Sequence, residues 1–135
     1  MVHSLEVYHQ EKLVFFSDRN WIYPLFELEK FLQLNSFPVE ELVVKDKIVG
    51  KAAALLMVHF RIRQVKAQLI SRLGMETLTQ FKVVFEYQQL VDRIYCQTEE
   101  LLQQEMDPES GYRILAARIE KIRQQQTNKP ASESS

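Results

Sequence analysis

A single cysteine, three glycines and three histidines in 135 residues close off several common chemistries before any motif is sought. Cys96 has no second cysteine to pair with, so an internal disulfide is excluded and a reducing compartment fits. Gly50, Gly74 and Gly111 lie too far apart for a phosphate loop or a dinucleotide-binding turn, both of which need clustered glycines. A Gly-x-Ser-x-Gly elbow is also missing. His3, His9 and His59 include no i,i+4 pair, and there is no Cys-x-x-Cys, so zinc-ligand spacings are absent and neither metal nor cofactor is expected. Charge of one sign is not in excess either: 17 Lys and Arg stand against 18 Asp and Glu, for a formal charge of −1. Nucleic acid and membranes are therefore not expected partners, and any electrostatic recognition has to be local. No apolar run reaches the roughly 18 residues of a membrane span. The start, Met1 to Glu6, lacks the basic and apolar stretches of a signal peptide, so a cytoplasmic location is expected.

What remains is an ordinary globular composition, 46% apolar and 26% charged, in a chain long enough to bury a core. Aromatic and β-branched residues mark strands over 5–9 and 12–17, around a Gln10-Glu11 turn without the usual Asn-Gly signal. Pro24 suits a first helical turn; Leu25, Leu28, Phe31 and Leu32 follow at helical spacing until Asn35-Ser36-Phe37-Pro38. A strand is predicted over 41–45, then a helix over 47–60, apolar around most of its circumference and so among the most buried elements. Val65, Ala67 and Leu69 alternate as a strand near 64–70, a short helix covers 75–81 and a last strand covers 82–87. This alternation reads as a sheet covered by helices, its strands after the hairpin mostly parallel. Beyond Tyr87 the chain reads as helical. Leu90, Val91, Ile94, Tyr95, Leu101 and Leu102 mark one amphipathic face, and Asp107-Pro108-Glu109 restarts a helix whose stripe is Tyr112, Leu115, Ile119 and Ile122.

The most informative stretch is Asp46-Lys47-Ile48-Val49-Gly50-Lys51-Ala52-Ala53-Ala54. In the predicted helix, Lys47 and Lys51 stand one turn apart at the positive end of the macrodipole, each at a cost of about 0.3–1 kcal/mol. Their i,i+4 repulsion adds roughly 0.2–0.5 kcal/mol, and only Asp46, as N-cap, opposes them. A locally costly cluster of cations points to an anion, because helix N-termini already present unpaired N–H groups. The candidate ligand-binding residues are Arg19, Asp46, Lys47, Gly50 and Lys51, with no catalytic residue assigned. The plainer alternative makes Asp46 a cap, leaves both lysines solvated and gives Gly50 a packing role. His59 reads as structural and Cys96 as a buried thiol. The adjacent pairs Glu40-Glu41 and Glu99-Glu100 point different ways and read as solvated.

Phe16-Ser17-Asp18-Arg19 followed by Pro24-Leu25, then the Asp46 to Ala54 stretch, then Val83 to Val91, resembles a small prokaryotic family of unknown function. That family has a cytidine-deaminase-like fold without the catalytic zinc. The resemblance runs from about Ser4 to Ile94, and Asp-Lys-x-x-Gly-Lys-Ala-Ala-Ala is its specific part. It implies an α/β fold, a three-layer α/β/α sandwich, here with a C-terminal helical extension. The domain would span 1–126, with its core at 4–94 and the extension at 88–126, followed by a flexible tail at 127–135. Active deaminases open one core helix with a zinc ligand and a Glu, and the next with two cysteines. The corresponding places here hold Arg19-Asn20 with Pro24, and Asp46-Lys47, so zinc-dependent deamination is not expected. Two departures stand out. The family's Arg-Gly is Arg19-Asn20 here, and its Cys-Pro-Met-Glu-like segment is Cys96-Gln97-Thr98-Glu99.

The resulting expectation is a non-catalytic ligand-binding or regulatory domain that accepts an anionic small molecule, nucleotide-like or a phosphorylated metabolite. An interaction protein acting through its C-terminal helices, with a homo-oligomer left open, is the alternative. A metal-independent enzyme using Asp46 and Lys47 as acid and base is a third reading.

Overall fold

The computed structural model describes residues 1–94, 102 and 107–127. Strands β1 (Leu5–His9) and β2 (Lys12–Ser17) form the expected hairpin. Its turn manages without glycine because Gln10 and Glu11 both adopt left-handed backbone, with φ of 51° and 69°, as a type I′ connection requires. Helix α1 (Tyr23–Leu34) carries Pro24 in its first turn, where no hydrogen-bond donor is lost. A 3₁₀ turn (Val39–Glu41) leads into β3 (Leu42–Val49), α2 (Lys51–His59), β4 (Gln64–Ser71), α3 (Arg72–Gln80) and β5 (Val84–Val91). Helix α4 (Pro108–Thr127) follows. Asp107 caps it, accepting from the Ser110 N–H at 3.0 Å and the Ser110 hydroxyl at 2.7 Å.

The strands order as β2-β1-β3-β4-β5. β1 is antiparallel to both neighbours, while β3, β4 and β5 run parallel. The expected parallel pairing of the 41–45 and 64–70 strands is therefore present.

Three boundaries depart from the expectation. β3 does not stop at residue 45; it continues through Asp46 and Lys47 to Val49, and α2 starts only at Lys51. Ile48 and Val49 are β-branched, and their pairing with Leu69 and Ile70 supplies ladder bonds that a helix holding Val49 and Gly50 could not match. α3 begins at Arg72 rather than 75, because the Ser71 hydroxyl accepts the Gly74 N–H at 3.0 Å and caps it. β5 runs to Val91, so residues 88–91 belong to the sheet and not to a helical extension: Leu90 pairs with Ile70 and Val91 with Ser71. Tyr95, Cys96, Glu99, Glu100 and Leu101 lie outside the described residues; Leu102 is buried.

Helix α2 touches α1, α3 and α4, so the four described helices form one layer on one face of the sheet. Leu5, Val44 and Val65 from the sheet share a buried cluster with Leu28, Leu55 and Leu115 from the helices. The third layer of the expected sandwich is not formed by the described residues. On the other face, paired positions place Phe16, Glu6, Lys45, Lys66 and Glu86 in a row across all five strands. Charges in that row would lose hydration under an apolar helix, at a cost of several kcal/mol. Glu6 is the most shielded of them, and the Tyr8 hydroxyl donates to its carboxylate at 3.1 Å while Lys45 lies over the Tyr8 ring.

Two glycines set the helix distances. A Cβ on Gly74 would stand 2.7 Å from the Val49 carbonyl oxygen, so α3 closes against the β3–α2 corner only because that atom is absent. A Cβ on Gly111 would meet the tip of Leu55 at 3.0 Å, which brings α4 onto α2. There Tyr112 stacks on His59 with centroids 4.4 Å apart. The α4 stripe is thus spent on the chain's own core. Gly74→Ala should lower stability by about 1–3 kcal/mol, because the clashing atom is backbone and cannot rotate away. Gly111→Ala meets only a side-chain end and gains helix propensity, so it should cost clearly less. Urea-denaturation midpoints of the two variants check the ordering.

Candidate functional site

Because β1 is antiparallel to β3 and β2 antiparallel to β1, one sheet edge gathers the start of β1 and the ends of β2, β3 and β5. Open α/β sheets bind ligands at this carboxyl edge. A cavity of about 240 Å³ lies there, lined among others by Arg19, Trp21, Ile22, Asp46, Lys47 and Gly50. Four of the five predicted residues therefore meet in one place. Lys51 does not line the cavity; it is 1% exposed in the first turn of α2.

Ser4 ties the rim together. Its N–H donates to the Ser17 carbonyl at 3.0 Å, and its carbonyl accepts from the Lys47 N–H at 3.1 Å. Its hydroxyl lies 2.7 Å from the Ser17 carbonyl and 2.5 Å from that of Arg19. The Ser17 hydroxyl donates to Glu27 on α1 at 2.5 Å and accepts from the Arg19 N–H at 3.2 Å. The segment carrying Arg19 is thereby fixed to β3 on one side and to α1 on the other. The left-handed residue of this turn is Trp21, with φ of 62°. A bulky side chain in that region is strained. The Trp21 ring meets Tyr23 edge-on at 5.3 Å, and the Arg19 guanidinium lies 4.2 Å above the same Tyr23 ring.

Asp46 is not a helix cap. It sits inside β3, and its carboxylate accepts the Ile48 N–H at 3.4 Å, while α2 is capped by Gly50 without any side-chain bond. Burial in the cavity wall pushes the Asp46 carboxyl up to about 7, against the N–H groups of Ile48 and Lys47, which pull it down. Near neutral pH the group can therefore donate or accept. The first intrahelical bond of α2 joins the Ala54 N–H to the Gly50 carbonyl at 3.0 Å. The N–H groups of Ala52 and Ala53, both cavity residues, thus have no acceptor within the helix. The site joins a helix start, two cationic side chains and a titrating carboxyl beside apolar walls. Among the described residues, no three His, Cys, Asp or Glu side chains converge to hold a metal ion.

Ser4, Trp21 and Ile22 were not among the predicted site residues. The turn-forming run Ser17-Asp18-Arg19-Asn20 marks where the chain bends, but it carries no sign that Ser4 fastens that bend.

The profile described as "TM1506: Domain of unknown function (DUF1893)" matches residues 3–119. The chain belongs to the DUF1893 family. A DUF1893 family protein (TM1506) from Thermotoga maritima, known from a crystal structure, superposes with a TM-score of 0.76 at 26% identity, over 85% of this chain and 80% of that one. No curated protein matches the chain. Membership extends through most of α4, so that helix belongs to the DUF1893 unit along with the sheet. No helix among the described residues is long and apolar enough to cross a membrane.

The DUF1893 cavity carries a linkage signature. Asp46 holds its proton up to about pH 7 when folded, against 3.8 for an ordinary aspartate. Folding therefore takes up a proton between those values, and this group's contribution to stability falls as pH rises through that window. Asp46→Asn should flatten the slope and stabilise the chain at pH 8 by on the order of 1–3 kcal/mol, with little change near pH 4. Thermal denaturation of both proteins across that range reads the effect.

Proposed function

We propose that this DUF1893 domain is a non-catalytic ligand-binding or regulatory module that accepts an anionic small molecule, nucleotide-like or a phosphorylated metabolite, in the cavity at the start of α2. The observation that carries the reading is the convergence of Arg19 and Lys47 with the α2 N-terminus, where backbone donors and the macrodipole both favour an anion. Gly50 places no side chain between the ligand and those donors. Asp46 donates a hydrogen bond when protonated and repels an anion when ionised, so binding is tighter below pH 7 than above it. Lys51, buried in the first turn, supports the helix start and does not reach the ligand.

The finer fold reading is also part of the proposal: a cytidine-deaminase-like arrangement from which the zinc chemistry is missing. A hairpin followed by parallel strands with intervening helices supports it, as does the Asp46 to Ala54 stretch at the β3–α2 corner. The proposed setting is cytoplasmic, in keeping with the lone cysteine. Metal-independent acid–base catalysis is the second reading, favoured only by an Asp46 carboxyl that titrates near neutrality.

A thermal-shift screen against nucleotides, nucleosides and phosphorylated metabolites at pH 6 and pH 8 tests the site. A true ligand at about a hundredfold over Kd should stabilise by roughly 2.7 kcal/mol, with the larger shift at pH 6. Replacing Arg19 and Lys47 together by Gln should leave the ligand-free melting temperature nearly unchanged and remove the ligand-induced shift. A double variant that still responds fully would show that the anion binds elsewhere.

A further inference from the structure

The lining of the cavity combines two chemistries. Arg19, Lys47 and Asp46 supply charge, while Trp21, Ile22, Pro24, Ile48, Ala52 and Ala53 supply hydrocarbon and one indole ring. The polar groups are partly spent. The Ser4 hydroxyl serves the Ser17 and Arg19 carbonyls, and the Asp46 carboxyl accepts the Ile48 N–H. A ligand hydroxyl set against such walls would give up water for few new partners, and an unpaired polar group is costly to bury. A hydrocarbon ring loses nothing there and gains from leaving water. The Arg19 guanidinium keeps its N–H edge for an anion, because its contact with Tyr23 uses only the face. Size sets a further limit. A volume of about 240 Å³ falls below the roughly 300–1,000 Å³ of sites for drug-sized ligands, and suits one ring with a short charged arm. Trp21 is 40% exposed and held in left-handed backbone, so an aromatic surface stays in the wall despite the strain.

Resting on the anion reading above, we propose that the ligand of this cavity is a small aromatic acid: one aryl ring against Trp21 and the neighbouring aliphatic wall, and a single anionic head, carboxylate or phosphate, held by Arg19 and Lys47. The head supplies the charge that the two cations and the α2 N-terminus favour. The ring supplies the apolar area, and aromatic rings attract one another beyond their burial alone. Inorganic phosphate and sugar phosphates share the head and lack the ring. Neutral aryl amides share the ring and lack the charge. Neither half is sufficient.

Trp21 is the one tryptophan of the chain, so its fluorescence reports occupancy of the cavity directly. Titration of the full chain at pH 6 with 3-phenylpropionate and with phenyl phosphate should change that fluorescence saturably, and the tighter of the two identifies the head group. Glucose 6-phosphate and inorganic phosphate should bind at least about tenfold more weakly, for want of the ring. The neutral 3-phenylpropionamide should be weaker by at least about tenfold too, for want of charge-assisted bonds. Trp21→Asn removes the ring and tolerates the left-handed backbone. By calorimetry it should weaken 3-phenylpropionate by about three- to tenfold and leave the aliphatic 4-methylpentanoate nearly unchanged. Equal losses for both acids, or glucose 6-phosphate binding as tightly as the aryl probes, would overturn the aromatic body and leave the anion reading standing. An amide that binds as well as the acid would overturn the charged head, and the anion reading with it. If no probe alters the fluorescence, as when the chain's own residues after Ile94 fill the cavity, both fail.

Discussion

The corner where β3 ends governs the rest of the site. Val49 and Gly50 form that corner, and Gly74 on α3 lies so close to their peptide that a single methyl group would collide with the Val49 carbonyl. This contact seats α3 against the end of β3, while the ladder to Ile70 carries the strand through Val49, and together they hold Asp46 and Lys47 in the sheet. Had the helix begun at Lys47, Asp46 would be a solvated cap with an ordinary carboxylate. Held within β3 between Leu5 and Ala67, it is withdrawn from water and titrates near neutrality instead. The electrostatics of the cavity thus follow from how far the β3 ladder extends.

Elements whose signals are local were legible in the sequence. The β1–β2 hairpin, Pro24 opening α1 and Asp107-Pro108-Glu109 opening α4 all rest on chemistry within a few residues. Ends decided by distant pairing were not legible. Asp46-Lys47 looks like a helix start because strand ends and helix caps use the same polar residues; only the β4 ladder, reaching Val49 opposite Ile70, shows that the strand continues. The same cause hid the last part of β5, where Leu90 and Val91 fit a helical stripe by spacing yet pair with Ile70 and Ser71. The polar face of the sheet was legible only in part for a related reason. Alternation within one strand shows that a face is polar, but only the cross-strand register gathers Glu6, Lys45, Lys66 and Glu86 into one row across the sheet.

The candidate site was legible as a set of residues and not as a mechanism of assembly. Arg19, Asp46, Lys47 and Gly50 do meet, although the argued cause, two lysines straining one helix, disappears once Lys47 lies in a strand and Lys51 is buried. What joins them is the closure of the residue 17–21 segment over the sheet edge through Ser4 and Ser17. Small hydroxyl residues give little sequence signal, because serine is at home in any turn.

Asp46 and Trp21 both carry cost in the folded chain, one through ionisation in a poorly hydrated place, the other through left-handed backbone. Both costs fall on the wall of the same cavity. Strain and perturbed titration gather where a structure holds groups ready for something else. A bound anion that draws a proton onto Asp46 would relieve the first cost at once. By linkage, the free energy the ionised carboxyl withholds from folding above pH 7 would then appear as proton-coupled affinity. In the proposed site, ligand and proton would enter together.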